Sequence, residues 1–212
     1  KGHCQTNITC ALKNMKGCIP NSEKRRFHTM GLHKPIAYLN KIIKQDLVIV
    51  DGMNGDLNFE EGGNPVQMNR IIAGKDPVLI DAYAAHLMGF DIEEVPYISI
   101  AEAIGVGSAD LESAHIVELN KATATTKLTP SRRAQQLARH IVEDAACSAC
   151  YGSLIYALER LSEKGLLNRL EEKLYIGQNF KNQQHDGIGI GTCASGFDKH
   201  VKGCPPKARD IV

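Results

Sequence analysis

Four cysteines in the last third of the chain constrain its structure more than any other feature. Cys147 and Cys150 form a C-x-x-C pair, Cys193 follows a glycine-rich run, and Cys204 is followed by two prolines. Two soft sulfur ligands close in sequence and two from distant loops are typical of a structural zinc site or an iron–sulfur cluster. A proline after the last cysteine also occurs in ferredoxin-type cluster loops. The pattern therefore predicts that these sulfurs meet at one metal site.

The residues around the later pair favour a cluster over the alternatives. C-x-x-C alone is not diagnostic, because it also serves zinc sites and thioredoxin-like redox pairs. Gly191 precedes Cys193 and Gly203 precedes Cys204, and glycine allows close approach of the backbone, with its N–H directed at sulfur. We expect a [4Fe–4S] cluster, with Gly191 and Gly203 as cofactor-binding residues. Zinc is the alternative cofactor, and disulfides or free thiols remain open.

The two later loops resemble those of a known class of cluster proteins. Gly191-Thr192-Cys193-Ala194 and Gly203-Cys204-Pro205-Pro206 resemble the proximal cluster loops of nickel–iron hydrogenase small subunits and their relative in respiratory complex I. The resemblance implies that an early C-x-x-C element and these two loops bind one [4Fe–4S] cluster. The spacing departs from those families, since only ten residues separate Cys193 from Cys204.

Net charge and cysteine content limit the partners and the cellular location that we expect for the protein. The net charge of +1 gives no expectation of a nucleic-acid or membrane partner. The short basic run Lys24-Arg25-Arg26 is typical of solvated surface, and no apolar run approaches the length of a membrane span. Seven cysteines in a 212-residue chain do not form the framework of a small secreted protein, so we expect a cytoplasmic protein.

Residues 1–122 show helical and strand patterns in alternation. Leu47–Val50 and Arg70–Gly74 are short apolar runs typical of strands, and Asp76-Pro77 is typical of a helix start. The remaining predicted elements are helices over Asn7–Lys16, Pro35–Lys44 and after Pro96, and a strand over Ile116–Leu119. This alternation predicts an α/β domain with a mostly parallel sheet layered with helices.

The second half of the chain is predicted to be organised differently. The polar, threonine-rich residues 123–131 indicate a linker. Residues 132–212 are predicted to form a smaller helical and glycine-rich segment that binds the metal. Within it, residues 131–164 have a helical composition, broken near the C-x-x-C pair, and residues 174–177 resemble a strand.

The first half of the chain also resembles a known family. The relevant segments are Lys1-x-His3, Thr9–Gly17, Ile49–Gly52 and Ala73–Ala82. In order and spacing they resemble the family called domain of unknown function 362, up to about residue 120. Family members carry more sequence before the Lys-x-His element and are often joined to cysteine-rich segments. The resemblance therefore implies a missing N-terminal part and agrees with the metal-binding segment, but it implies no reaction.

Polar residues near the start of the chain form a candidate catalytic site. Lys13 and Asn14 can hold a carboxylate or phosphate, as a point charge with an adjacent amide donor. His3 is a candidate acid or base, with His28 and His33 as substitutes, and Asp51 ends a predicted strand, where parallel sheets present ligand-binding groups.

Other polar residues of this half have simpler interpretations. Asp51-Gly52 is equally a strand-ending turn, and Asp76 is a helix N-cap. Asp81 either binds a buried backbone group or cation or is an exposed carboxylate. The three early cysteines are interpreted as free thiols, with a second metal site as the alternative: Cys4, Cys10 and Cys18.

Three functions agree with these patterns. The favoured one is an iron–sulfur protein that exchanges single electrons with a redox partner protein or a substrate; as an enzyme it would be an oxidoreductase. The alternative is a non-redox enzyme that binds a small anionic substrate through His3, Lys13 and Asn14, with a structural cluster or zinc. The third is a non-catalytic interaction or metal-carrier module. The glycine run before Cys193 lacks the G-x-G-x-x-G spacing, so we do not expect NAD or flavin.

Overall fold

The structure, a computed structural model, describes residues 1–56, 65–119 and 133–212. These ranges form a mixed α/β protein with eight α-helices and eight strands in three sheets. The helices and strands are β1 (Gly2–His3), β2 (Asn7–Ile8), α1 (Ala11–Asn14), α2 (Asn21–Thr29), α3 (His33–Ile42), β3 (Val48–Asp56), β4 (Pro65–Gly74), α4 (Pro77–Leu87), α5 (Pro96–Ala103), α6 (Arg133–Leu137), β5 (Ile141–Glu143), α7 (Ser148–Glu163), β6 (Leu174–Ile176), β7 (His185–Ile190), β8 (Phe197–Val201) and α8 (Ala208–Ile211). The mixed α/β class is therefore confirmed. The predicted linker, residues 123–131, lies outside the described residues.

Residues 1–119 pair their strands antiparallel, so the parallel sheet predicted for this half is wrong. β1 pairs with β2, and β3 pairs with β4 from Val48 opposite Gly74 to Asp56 opposite Pro65. The two predicted apolar runs pair with each other, at the start of β3 and the end of β4. Parallel neighbours usually need a crossover helix, and the sequence between these runs has no helical pattern. The strand predicted at Ile116–Leu119 does not form.

The helices of this half begin and end largely where the sequence signals lie. α4 starts after Asp76, whose Oδ1 accepts hydrogen bonds from Val78 N (2.8 Å) and Leu79 N (3.1 Å), which confirms the predicted N-cap. α3 and α5 also match their predictions closely. The first predicted helix is shorter than expected, because Asn7 and Ile8 form β2 and the helix begins only at Ala11.

A buried carboxyl group holds the start of α1 against α4. Asp81 is fully buried, and its Oδ1 accepts hydrogen bonds from Ala11 N (2.6 Å) and Leu12 N (3.3 Å). It thus occupies backbone donors that a helix start leaves without intrahelical partners. Burial raises the pKa of Asp81 to about 7 from its usual 3.8, although the hydrogen bond from Leu12 N pulls it down. Of the two interpretations of Asp81, the buried one is correct.

We expect this carboxyl group to make folding pH-dependent. Because its folded pKa lies above its unfolded one, the stabilisation is complete below about pH 4 and is lost as the pH rises through about 7. The loss is at most about 4 kcal/mol, from roughly 1.4 kcal/mol per pKa unit. Asp81→Asn keeps a carbonyl acceptor without a charge, so its unfolding free energy should depend less on pH. Urea unfolding at about pH 5 and about pH 8 gives the unfolding free energy of each protein at both pH values. An equal change in this free energy between the two pH values for wild type and Asp81→Asn would contradict the prediction.

The parallel sheet lies in the second half of the chain, where a helical segment was predicted. β5, β6, β7 and β8 are adjacent in that order, and every neighbouring pair is parallel. β5 lies between α6 and α7, within the stretch predicted to be helical. α7 packs on the sheet through buried Leu154, Ile155 and Leu158.

This sheet is hard to detect from sequence because its connections are unusually short. Residues 177–184 join β6 to β7, and residues 191–196 join β7 to β8, each containing a short 3₁₀ turn. Parallel neighbours usually need a dozen or more connecting residues. The short connection between β7 and β8 packs tightly against β7. A Cβ on Gly189 of β7 would lie 2.2 Å from Ala194 O in the following turn, so only glycine fits there.

The two halves of the chain are in contact beside α7. Gln5 Nε2 donates to Ala146 O (3.1 Å), and Ser148 Oγ donates to Gln5 Oε1 (3.1 Å). Gln178 Nε2, at the end of β6, donates to Arg25 O of α2 (3.1 Å). These contacts place α2 next to the carboxyl ends of the parallel strands. Across the described ranges, no helix combines the length and apolar character needed to cross a membrane.

Candidate functional site

The four late cysteines line a single cavity of about 340 Å³. Cys147 follows β5, Cys193 follows β7 and Cys204 follows β8, while Cys150 lies in the first turn of α7. Because the strands are parallel, their carboxyl ends meet at one edge of the sheet, where α/β proteins commonly bind ligands. The structure thus brings the predicted ligands together from three separate loops.

The C-x-x-C pair is positioned by the start of α7. Cys147 is the N-cap residue, and its carbonyl oxygen accepts the first helical hydrogen bond, from Tyr151 N (2.9 Å). Cys150 lies three residues further on and packs against the core of this half. The positive end of a helix dipole favours negative charge nearby, which acts against the burial that raises the pKa of both thiols.

Hydrogen bonds join the two later cysteine loops to each other. Gly191 N donates to Val201 O (2.8 Å), and Thr192 N donates to Gly203 O (2.9 Å). Gly191 and Gly203 both line the cavity and have positive φ angles of 83° and 137°. A Cβ on Gly203 would lie 2.5 Å from Pro206 Cα, so the loop accepts no side chain there. The two glycines predicted to bind the cofactor are therefore in place beside Cys193 and Cys204.

The thiols of the cavity influence one another electrostatically. Burial, followed by the other three thiols, raises the pKa of Cys150 to about 12. Burial also raises the pKa of Cys147, with smaller contributions from Cys193 and Cys204, while Arg25 and Lys181 act in the opposite direction. The sulfurs therefore face a common space, and a bound cationic group would reverse this balance by holding them as thiolates.

The four cysteine side chains line one cavity without forming a ready site for a single ion. Among the described residues, no three His, Cys, Asp or Glu side chains are arranged to hold a single metal ion, although four cysteines line one cavity. The two observations agree if the sulfurs are spread around the cavity wall.

Several cavity residues were not predicted as site residues. Arg25 comes from α2, and Gly177, Gln178 and Lys181 follow β6. Arg25 was interpreted as solvated surface, and only its contact with the β6 loop brings it to the cavity. Gly177 was detectable in principle, because it directly follows a strand-like run at the edge that binds ligands. Nothing in the sequence around Lys181 indicates that it lines a site.

Two of the residues predicted for a catalytic site, His3 and Lys13, are buried and hydrogen-bonded to neighbouring residues of the chain. His3 is buried, and its Nδ1 accepts hydrogen bonds from Gln5 N (3.1 Å) and Thr6 N (3.3 Å). Lys13 is buried as well, and its Nζ donates to Thr9 Oγ1 (3.0 Å). Both side chains thus bind residues of the same short β1–β2–α1 segment.

The other residues predicted for the front-end site are in different surroundings from His3 and Lys13. Asn14 is exposed at the end of α1. Asp51 does not end a parallel strand as predicted: it lies inside β3 opposite Ile71, and its Oδ1 accepts from Met53 N (3.0 Å). Of the two substitute histidines, His28 has its Nε2 3.4 Å from Ser148 Oγ, and the His33 ring stacks on Tyr97.

The early cysteines lie outside the cavity lining. Cys4 packs against the core of the second half, Cys10 is mostly buried, and Cys18 is exposed. Burial, and secondarily Asp81, raises the pKa of Cys10 to about 12. The seven cysteines are free thiols in the structure.

Comparison with known proteins finds a family match within the first half of the chain. No solved structure matches the chain. Over 119 residues it is 25% identical to Thylakoid-associated protein sll1697 of Synechocystis sp., a match that covers 53% of this chain and 37% of that relative. The chain thus spans little more than a third of the length of the curated relative it matches. Residues 1–86 match the family model described as Domain of unknown function (DUF362), in agreement with the resemblance found in the sequence.

Proposed function

We propose that the protein binds a [4Fe–4S] cluster through Cys147, Cys150, Cys193 and Cys204 and transfers single electrons. The observation that carries the proposal is the convergence of the four thiols on one cavity, from three loops at one edge of the parallel sheet. Cysteine thiolates in this number are the ligands of [4Fe–4S] clusters.

The number and placement of the cysteines suit a cluster. Zinc, the alternative, requires four ligands at about 2.0–2.3 Å from one point. In a [4Fe–4S] cluster each cysteine binds a different iron, so its sulfurs lie further apart. A cavity of about 340 Å³ with a cysteine in each of several wall segments suits that arrangement.

The residues of the cavity have distinct tasks in this proposal. The cysteines bind the irons as thiolates, and the cluster, when bound, supplies reversible one-electron chemistry. Gly191 and Gly203 let the backbone come close to the sulfurs, and N–H groups near the sulfurs tune the reduction potential of such a site. Ile176 and Ile190 line the inner side of the cavity and exclude water. Cys204 is exposed and leaves one side of the site near the protein surface.

Metal analysis after purification without oxygen tests the proposal. We expect a brown protein with about four irons and four acid-labile sulfides per chain, whose visible absorption is bleached by dithionite. Zinc near one per chain in a colourless protein would contradict it. So would a metal-free protein that takes up no iron when iron and sulfide are supplied under reducing conditions.

A further inference from the structure

Two exposed cations line the cavity, and two more lie on the loop that carries Cys204. Arg25 and Lys181 line the cavity, and Lys202 and Lys207 flank the loop that carries Cys204. All four side chains are exposed. We call these four residues the basic rim. They come from α2, from the loop after β6 and from the loop after β8.

The charges of the basic rim are not neutralised within the described residues. The structure gives none of its four side chains a hydrogen bond or salt bridge to a described residue. Elsewhere on the surface, several cations do have carboxylate partners, such as Arg26 with Glu23 (3.3 Å) and Lys199 with Glu172 (2.7 Å). The net charge of the chain is only +1, so the positive charge at the rim is a local excess.

Most carboxylates of the parallel sheet lie away from the basic rim. Asp186 and Asp198 are near the amino-terminal ends of β7 and β8, and Glu172 precedes β6, so they belong to the opposite edge. Two carboxylates do lie at the cysteine edge. Glu143 Oε1 accepts from Ala146 N (2.7 Å), and Asp144 Oδ1 accepts from Asn179 Nδ2 (2.7 Å). Both are therefore bonded to the loops around the cavity rather than to the rim cations.

We propose that the basic rim is the docking surface for an acidic one-electron carrier protein of the ferredoxin type. This inference rests on the proposed cluster. One electron passes from the reduced carrier to the cluster at the exposed Cys204 side, so the carrier is oxidised and the cluster reduced, with no bond made or broken. Opposite charge across such an interface accelerates encounter and fixes orientation.

Stopped-flow reduction of the cluster-loaded protein tests the docking surface. The donor is a reduced acidic [2Fe–2S] ferredoxin, and photoreduced 5-deazariboflavin, which carries no charge, serves as the small-molecule reductant. We expect the ferredoxin rate constant to fall about tenfold or more in the double variant Lys202→Glu, Lys207→Glu, whose two residues are exposed and do not line the cavity, as for other electrostatically steered pairs. The wild-type rate should also fall as ionic strength rises. The matched control is Lys164→Glu, because Lys164 caps the opposite end of α7 and should react like wild type.

The possible results separate the docking surface from the cluster itself. Loss of the ferredoxin reaction with an unchanged reaction with the uncharged deazaflavin supports the inference. An unchanged ferredoxin rate in the double variant overturns it. If the variant instead loses binding to vesicles of anionic lipid while the ferredoxin rate is unchanged, the rim is a membrane surface and the inference is wrong. Absence of the cluster is detected beforehand from iron and visible absorption, and overturns the proposed function as well.

Discussion

Replacing Cys193 with serine is expected to reduce iron and sulfide from about four per chain to near zero, with loss of visible absorption. Serine has nearly the same size, but its hydroxyl does not ionise near neutral pH and is a poor iron ligand. Cys193 lies in the turn between β7 and β8, so a cluster without it would have an iron facing the cavity with no protein ligand. The measurement is iron and sulfide content after anaerobic reconstitution, together with the visible spectrum.

A cysteine from the first half of the chain provides the control. Cys18 is exposed, lies in the turn Met15–Cys18 and does not line the cavity. Cys18→Ser should therefore keep the full iron content. Circular dichroism and urea unfolding must show that the Cys193→Ser protein is folded, because an unfolded protein loses metal for a different reason. A folded Cys193→Ser protein with four irons would refute the ligand assignment.

Gly177→Ala is expected to destabilise the protein by more than about 4 kcal/mol, in the range of the most damaging single substitutions. A Cβ at this position would lie 1.7 Å from the backbone oxygen of Asp144, and the φ angle is 148°. Asp144 cannot move aside easily, because its N–H donates to Ile176 O (3.0 Å) and continues the β5–β6 pairing. Since Gly177 lines the cavity, any adjustment of the backbone should also impair metal binding.

Gly165 provides a comparison position that has a positive φ but no close contact. It follows α7 with a φ of 68°, and an added Cβ would meet nothing within 4 Å. Gly165→Ala therefore has the unfavourable φ without the collision and should cost only about 1 kcal/mol. Urea unfolding of both variants gives the comparison. Similar losses at the two positions would show that the approach of Asp144 to Gly177 does not matter.

Local signals in the sequence were sufficient for the helices of the first half. Asp76 followed by Pro77 marks the start of α4, and its end is marked by Gly89, which has a φ of 81°. Such signals act over one turn of chain, so they can be interpreted without knowing the rest of the fold. The grouping of Cys147 with the later cysteines was also accessible, because it follows from ligand chemistry rather than from secondary structure.

The features that sequence analysis missed depend on distant contacts. The direction of β4 is set by its pairing with β3, and the parallel sheet of the second half relies on short connections that a strand pattern does not reveal. Asp81 takes its role from the N–H groups of Ala11 and Leu12, some seventy positions earlier. Arg25 reaches the cavity only because α2 packs beside the β6 loop. No local pattern contains this information.

The parallel order of β5, β6, β7 and β8 has a consequence for biosynthesis. Cys147 and Cys150 are brought together by the first turn of α7, but Cys193 and Cys204 join them only when the last two strands have paired. Pairing between distant segments forms slowly compared with local helical structure. A chain still emerging from the ribosome would therefore offer an assembly factor only half of the proposed ligand set. Insertion of the cluster would then mark the chains that have completed their fold.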